Sequence, residues 1–400
     1  MFEKQAQFLH EIVWKRFVRM PYGHVLDYAG KNGENVYPDE KMCADYFPNP
    51  QSWWTCIENG AFFTGLYAGM LAEKYKKNPD EKTKRELEIL TDGLFLLEDV
   101  SDVDGFIARG VGTDGKSHYP LSSEDQVGPW VYGLWKVFDS GAMSEEYKEK
   151  IKTHLRRQMN GLIASDFLIP TEWDKNVWGG LRSGDFRACA KLLGSLYTAY
   201  AATGDKIFLE KYNFLAADKP DGSLTRTEIC SFGCAPDMVR NTGLIQFWIT
   251  CCAHLFLGEL ARLDKQNTAL YSKGQENSAA SSLKFLDDYK KFAETPAKDF
   301  DIDWTKLDFM YRRAESPLDG MNLALEQNRY WMEKLVPARH AEHNILGNML
   351  FACVMCLHTE NDSIKKAAAK KLAEMLETVD FEKLNLSYAF VAECACIALM

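Results

Sequence analysis

The sequence predicts an all-α fold, an (α/α)6 toroid in which six helical hairpins close a ring and long loops gather at one end. Three observations predict it. Twelve apolar-periodic segments have helical length, the links between them alternate short and long, and the long links are dense in Trp, Tyr, Arg, Asp and His.

In chain order the segments fall at Gln5–Phe17, Trp53–Lys76, Glu81–Asp99, Ser123–Ser140, Ser144–Ala164, Gly184–Thr203, Lys206–Phe214, Asp237–Leu263, Lys265–Glu294, Ala341–His358, Ser363–Thr378 and Leu386–Met400. Short turns lead into the third, fifth, seventh, ninth and eleventh, at Asn78-Pro79-Asp80, Ser140-Gly141, Gly204-Asp205, Asp264 and Asn361-Asp362. A short helix–helix link makes antiparallel neighbours, so each reads as a hairpin. The links into the even-numbered segments are long, at Arg19–Ser52, Val100–Ser122, Asp166–Ser183, Leu215–Pro236 and Thr295–His340, with the short Phe381–Asn385 breaking the pattern. With the even-numbered helices as an inner ring, their N-termini lie at one end together with the long loops. Loops of that length inside a compact domain are usually functional or disordered, and this side-chain content argues for function.

A chain of 400 residues with 46% hydrophobic content can bury one large core, and no Pro/Ser/Gly-rich hinge interrupts it, so residues 1–400 are expected to form a single catalytic domain. The competing division is a break near Leu263. A net charge of −10, from 47 basic and 57 acidic residues, disfavours nucleic acid and anionic membrane as partners. The basic runs His154-Leu155-Arg156-Arg157 and Lys365-Lys366 read as solvated helix faces. No stretch has the apolar length of a membrane span, and Met1–Lys4 opens an amphipathic helix rather than a signal peptide, so a cytoplasmic monomer or weak homo-oligomer is expected.

Most of the eleven cysteines sit within apolar helices and read as small buried hydrophobes of a reduced compartment. Cys353-x-x-Cys356 has half the spacing of a zinc site but no second pair, so no metal and no cofactor is expected. Cys230 and Cys234 lie in a long loop, where a disulfide or reactive thiol competes with the plain structural reading.

The chemistry concentrates in two openings. Gly105–Gly110 leads through the Asp114-Gly115 turn, read as a small hairpin over the mouth, to Ser122-Ser123-Glu124-Asp125-Gln126 and Trp130. Ser122-x-x-Asp125 and Ser123-x-x-Gln126 form two overlapping capping boxes. Acidic residues in a first turn also complement the helix dipole without any catalytic role. The second opening, Trp53-Trp54-Thr55-Cys56-Ile57-Glu58-Asn59-Gly60, again joins tryptophans to a carboxylate. Glycosidic hydrolysis commonly needs two carboxyl groups across a sugar, one protonated and one ionised. Asp125 is the expected proton donor, Glu58 its partner and Glu124 the competitor, because sequence neighbours lie about 100° apart on a helix and only one can point squarely inward.

Other openings supply substrate contacts. Trp53, Trp54, Trp173 and Trp178 offer flat apolar faces suited to a sugar ring. Arg109, Arg182, Arg187, Arg240 and Arg339 offer carboxylate forks, each with surface salt bridging as the plain reading. Gln126, Asp174, Asp185, His118, His340 and His343 complete the expected binding set for an oligosaccharide.

With these residues in place the chain resembles the six-hairpin (α/α)6 glycosidase superfamily, and within it the unsaturated glucuronyl and rhamnogalacturonyl hydrolases and related uronate-acting families. The likeness in architecture spans nearly the whole chain, while the motif likeness is confined to Trp53–Gly65 and Gly105–Trp135. The resemblance implies an aspartate that protonates the double bond of an unsaturated uronide and directs water to the neighbouring carbon, a role that falls on Asp125. Those families present aspartates at both inner helices, whereas Glu58 stands at the first here, which keeps a direct β-glucuronidase-like hydrolase open. The same barrel serves polysaccharide lyases, for which Tyr119, His118 and His343 are candidates, and sugar epimerases with paired histidines, for which His340 and His343 are. A non-catalytic carbohydrate-binding barrel is the remaining alternative.

Overall fold

Helix burial separates two classes of helix. In Asn348–Leu357 every residue from Met349 to Leu357 is buried, whereas the next helix, Asp362–Thr378, buries only Ile364, Ala368, Leu372 and Met375, a single stripe. A helix buried on all sides lies inside a ring, and a striped one lies outside it. The computed structural model describes residues 1–173, 177–234, 246–293, 308–330 and 341–400.

The elements are α1 (Phe2–Arg16), β1 (Val18–Arg19), β2 (His24–Val25), α2 (Glu40–Asp45), α3 (Gly60–Lys77), α4 (Glu81–Asp99), α5 (Glu124–Asp139) and α6 (Glu145–Ala164). They continue with β3 (Leu168–Pro170), β4 (Val177–Gly180), α7 (Phe186–Thr203), α8 (Lys206–Ala217), α9 (Arg226–Phe232), α10 (Phe247–Leu263) and α11 (Thr268–Leu283). The chain ends with α12 (Tyr289–Ala293), α13 (Pro317–Tyr330), a π-helical turn (Ala341–Gly347), α14 (Asn348–Leu357), α15 (Asp362–Thr378) and α16 (Ala389–Ala398).

The inner helices α3, α5, α7, α10, α14 and α16 pack each against the next, and α16 returns to α3, so the ring closes. Around it α4, α6, α8, α11, α15 and α1 pair with the inner helices, giving the all-α (α/α)6 toroid. The short turns are built by caps. Asp80 accepts the Thr83 N–H, Ser144 the Tyr147 N–H, and Asn361 those of Ser363 and Ile364, while Gly204 (φ 76°) ends α7 in the left-handed conformation. The tightest crossing joins α3 to α5: a Cβ on Gly65 would lie 2.2 Å from the Pro129 carbonyl oxygen, and one on Gly133 would lie 2.5 Å from that of Gly65. Two small two-stranded antiparallel sheets, β1–β2 and β3–β4, sit in the long loops.

Several local expectations are corrected. The second segment becomes helical only at Gly60, and Trp53–Asn59 is a chain of turns. No strand flanks Asp114-Gly115; Asp114 instead accepts the N–H groups of Lys116 and Ser117, forming a compact turn. Neither capping box forms at α5, where Ser123 is the N-cap residue without a side-chain cap bond. The ninth segment ends at Leu283 and continues as a 3₁₀ turn and α12, and the tenth opens with the π turn. The long links carry α2, α9 and α13. All eleven cysteines are free and buried, including Cys230 and Cys234. No helix among the described residues is long and apolar enough to cross a membrane.

Candidate active site

Glu58 owes its position to the backbone of the turn that precedes α3. Trp54 is buried with φ 74°, a left-handed conformation that costs a bulky residue on the order of 1–3 kcal/mol. In that conformation its N–H donates to Glu58 Oε2 at 2.9 Å and its carbonyl accepts the Tyr28 hydroxyl at 2.9 Å. The glutamate is therefore held half-buried at the mouth.

The next residue ties the first two inner helices together. Asn59 donates from its N–H (2.7 Å) and Nδ2 (2.6 Å) to the two Asp27 carboxylate oxygens, and its Oδ1 accepts Gln126 Nε2 at 3.1 Å. Gln126 Oε1 in turn accepts the Phe62 N–H at 3.1 Å. All three side chains are buried, so the expected capping and substrate roles of Gln126 give way to an interhelical bridge.

Arg109 stands between the two openings and is 5% exposed. Its Nη1 donates to the Glu58 carbonyl at 3.1 Å, and its Nη2 to Gln51 Oε1 and Ser123 Oγ, both at 3.1 Å. Ser123 fails to cap α5 because its hydroxyl oxygen serves this arginine. Burial pulls the guanidinium pKa down, opposed by the charges of Glu58, Asp125, Asp27 and Glu124. Arg109 is thus a buried strut in a field of four carboxylates, which corrects the expectation that its fork is open to a substrate carboxylate.

Glu124 and Asp125 open α5 side by side. Asp125 Oδ1 accepts Lys191 Nζ from α7 at 3.2 Å, and the same ammonium lies 3.4 Å from the Glu124 carbonyl. Burial raises the Glu124 pKa, and the Asp125 charge raises it further. The β4 backbone approaches the same carboxylate: a Cβ on Gly179 would sit 3.0 Å from Glu124 Oε2. The arrangement can offer a neutral acid beside a paired carboxylate.

The other expected residues divide. His118 is committed to Glu172 through Nε2 (2.7 Å) and to the Lys116 carbonyl through Nδ1 (2.8 Å), with its ring near Phe106. Burial opposes its protonation, yet the Glu172 carboxylate outweighs burial and raises its pKa. Trp173 packs on Tyr46, with ring centroids 4.7 Å apart, beside Leu121 and Ala314. Trp53 is half-buried, its N–H donating to Asn49 Oδ1. Asp185 is the N-cap of α7, accepting the Arg187 and Ala188 N–H groups, and Arg182 pairs with Asp166 at 3.0 Å. Those two have structural partners rather than an open site. Arg187 is half-buried, 3.4 Å from Gln246 Oε1 and 3.7 Å from Asp185 Oδ1. Trp178 lies in β4, where the backbone alone is described, and Asp174, Arg240, Arg339 and His340 lie outside the described residues.

Across the ring, His343 stands in the π turn. Its Nδ1 bonds the Tyr388 hydroxyl, and its ring centroid lies 5.3 Å from that of Trp248. Tyr388, Trp248, Asp27, Asn59 and Lys191 were missed in the sequence. Only Lys191 left a signal there, as a lone charge in the apolar run Ala188–Leu196. Glu342 is spent on the loop before α16, accepting the N–H groups of Asn385 and Leu386.

Among the described residues one group of three side chains has metal-ligand character, Glu98, Asp99 and His154 on the outer helices. There His154 Nδ1 hydrogen-bonds Glu98 Oε2 at 2.5 Å and its ring stacks on Phe95 with centroids 4.0 Å apart, so the imidazole is held by a carboxylate and an aromatic plate.

No family model matches this chain, and no curated protein matches it. Among solved structures it is similar to one described as the crystal structure of sugar epimerase from ruminal bacterium. The two share 9% identity over 98% of each chain, with a TM-score of 0.48.

Proposed function

We propose that this protein is a glycoside hydrolase acting on uronate-containing oligosaccharides by carboxyl acid/base chemistry at the open end of the ring. The observation that carries the reading is the carboxyl constellation there: Glu124 with a raised pKa, Asp125 paired to Lys191, and Glu58 on the facing turn, whose backbone carbonyl Arg109 ties to Ser123 just before the pair. Two carboxyl groups whose surroundings separate their protonation are what acid/base hydrolysis of an acetal requires.

In this reading Glu124 carries the proton to the leaving oxygen or to the double bond of an unsaturated uronide. Glu58, its carboxylate held by the Trp54 N–H, directs the water. The charge on Asp125 keeps the proton on Glu124 and faces the developing oxocarbenium ion. These roles exchange Asp125 and Glu124 relative to the sequence expectation, because Lys191 sits on Asp125. Half-buried Trp248 offers a plane for a sugar ring, and Arg187 supports the uronate preference.

The test incubates the full chain with lyase-generated unsaturated oligosaccharides and with aryl β-glucuronide. Loss of the unsaturated chromophore marks an unsaturated-uronide hydrolase, and aglycone release marks a direct uronidase. Either activity should vanish in Glu124→Gln; silence on both substrates overturns the reading.

One observation favours a second reading. His343, oriented by Tyr388 against Trp248, has the form of a general base for proton abstraction beside a sugar carbonyl, as in an epimerase. Among the described residues it is the one histidine on an opening turn of the inner ring. Deuterium entering an aldose from heavy water, lost in His343→Gln, would select that reading.

A further inference from the structure

Lys191 is an ammonium group in an apolar helix. It is 2% exposed, and its neighbours along α7, Cys189, Ala190, Leu192 and Leu193, are buried core residues. Moving a charge into such surroundings costs several kcal/mol unless partners hold it, and its partners all come from the opening turn of α5. Its route there is specific. A Cβ added to Gly128 would meet Lys191 Cδ at 2.9 Å and Cγ at 3.3 Å, so the lysine stem lies in the notch left by that glycine. Gly128 is three residues after Asp125, on the same face of α5. The stem therefore crosses α5 at Gly128 and places Nζ one turn nearer the mouth, 3.2 Å from Asp125 Oδ1 and 3.4 Å from the Glu124 carbonyl.

We propose that Lys191, seated in the Gly128 notch, is a positioning residue that holds the Asp125 carboxylate beside Glu124 and, as a fixed positive charge, limits how far up in pH Glu124 keeps its proton. The inference rests on the hydrolase reading for its use of that proton, but its physical content does not depend on turnover. The groups facing this pair come from every side. Arg109 supplies a second positive charge from the loop before α5, and Asp185 faces Lys191 from the start of α7. Cys252 lies against it from α10, its thiol pushed up by burial and therefore neutral. Of the two cations, Arg109 is spread over Glu58, Asp27 and the pair, whereas Lys191 bonds Asp125 directly. The neighbouring charges hold the lysine pKa above its ordinary value against the opposing effect of burial, so the ammonium is permanent at neutral pH.

The experiment follows the Glu124 carboxyl carbon by NMR in full-length protein carrying labelled glutamate, the signal being assigned by its loss in Glu124→Gln. In Lys191→Met the lysine charge is gone and the stem volume kept, so Glu124 should begin to take up its proton at higher pH, by about one unit. Lys191→Arg should restore part of the difference. Gly128→Ala keeps the charge but fills the notch, and should move Glu124 in the same direction by less. It carries the test alone if Lys191→Met does not fold. Glu124 titration unmoved in Lys191→Met, or in Gly128→Ala where that stands alone, overturns the inference. The two failures separate cleanly: a titration shift in a chain that cleaves no glycoside refutes the hydrolase reading alone, and turnover with an unmoved titration refutes this inference alone.

Discussion

His10 predicts how the stability of this ring depends on pH. It is buried on α1, with Nδ1 2.9 Å from Glu393 Oε1 on α16 and Nε2 2.9 Å from Glu86 Oε1 on α4. Tyr67 of α3 completes the cluster by donating to Glu393 Oε2 at 2.7 Å. First and last helices are thus clasped by one imidazolium between two carboxylates whose side chains are 8% and 1% exposed. Burial works against the charge, but the hydrogen bonds and charges of Glu393 and Glu86 outweigh it and raise the His10 pKa from 6.5 to about 9. Each pKa unit is about 1.4 kcal/mol, so the clasp contributes about 3 kcal/mol, with little screening at this depth. Because the folded value lies above the unfolded one, the contribution is fully present below pH 6.5 and is lost as pH climbs through about 9. The eleven buried thiols push stability the same way at alkaline pH, since they ionise more readily once unfolded. The reference is therefore the double variant Glu86→Gln, Glu393→Gln, which keeps the thiols and removes the charges around His10. Urea unfolding of both proteins across this range should show the advantage of the wild type shrinking by about 3 kcal/mol. Parallel pH dependences in the two proteins would refute the argument.

Five further outcomes are expected. Glu124→Gln should lower kcat on a glycoside substrate by roughly a hundred- to ten-thousand-fold with the helical circular dichroism unchanged, as for loss of a general acid. Wild-type activity should fall as pH rises through the Glu124 pKa, which burial and the Asp125 charge hold above the ordinary carboxylate range; an alkaline limb that persists in Glu124→Gln would contradict the assignment. Arg109→Met removes three hydrogen bonds and leaves the Glu58 carbonyl, Gln51 Oε1 and Ser123 Oγ without their donor, so unfolding free energy should drop by about 1–3 kcal/mol, measured by denaturant titration. Gly65→Ala should cost about 1–3 kcal/mol or more, read as a lowered Tm, because its methyl meets the Pro129 carbonyl at the α3–α5 crossing. A thiol reagent should modify none of the eleven cysteines before unfolding, and rapid labelling of Cys230 or Cys234 would contradict their burial.

The ring was legible because its pattern is local. Helical period, caps such as Asp80, Ser144 and Asn361, and the left-handed Gly204 all act within a few residues, and the short turns they make impose antiparallel hairpins. The acidic pair opening α5 was legible for the same reason. What misled was any position whose partner is distant in sequence. Trp53–Asn59 has helical composition, yet Tyr28 takes the Trp54 carbonyl and Gly60 packs so tightly on the Arg109 carbonyl that a Cβ would lie 2.5 Å from it. Ser123 has the form of a cap, and Arg109 claims its hydroxyl.

By itself, then, the sequence determined the all-α hairpin ring and the end at which its chemistry gathers, because hydrophobic period and turn chemistry are encoded over neighbouring residues. The tertiary structure alone decided which charged groups are spent and which remain in play. It turned Arg109 from a substrate fork into a strut, His118 into a partner of Glu172, and Lys191 from a lone charge in an apolar run into the partner of Asp125. Burial and ion pairing depend on what the rest of the chain brings within a few ångströms, and no local pattern records that.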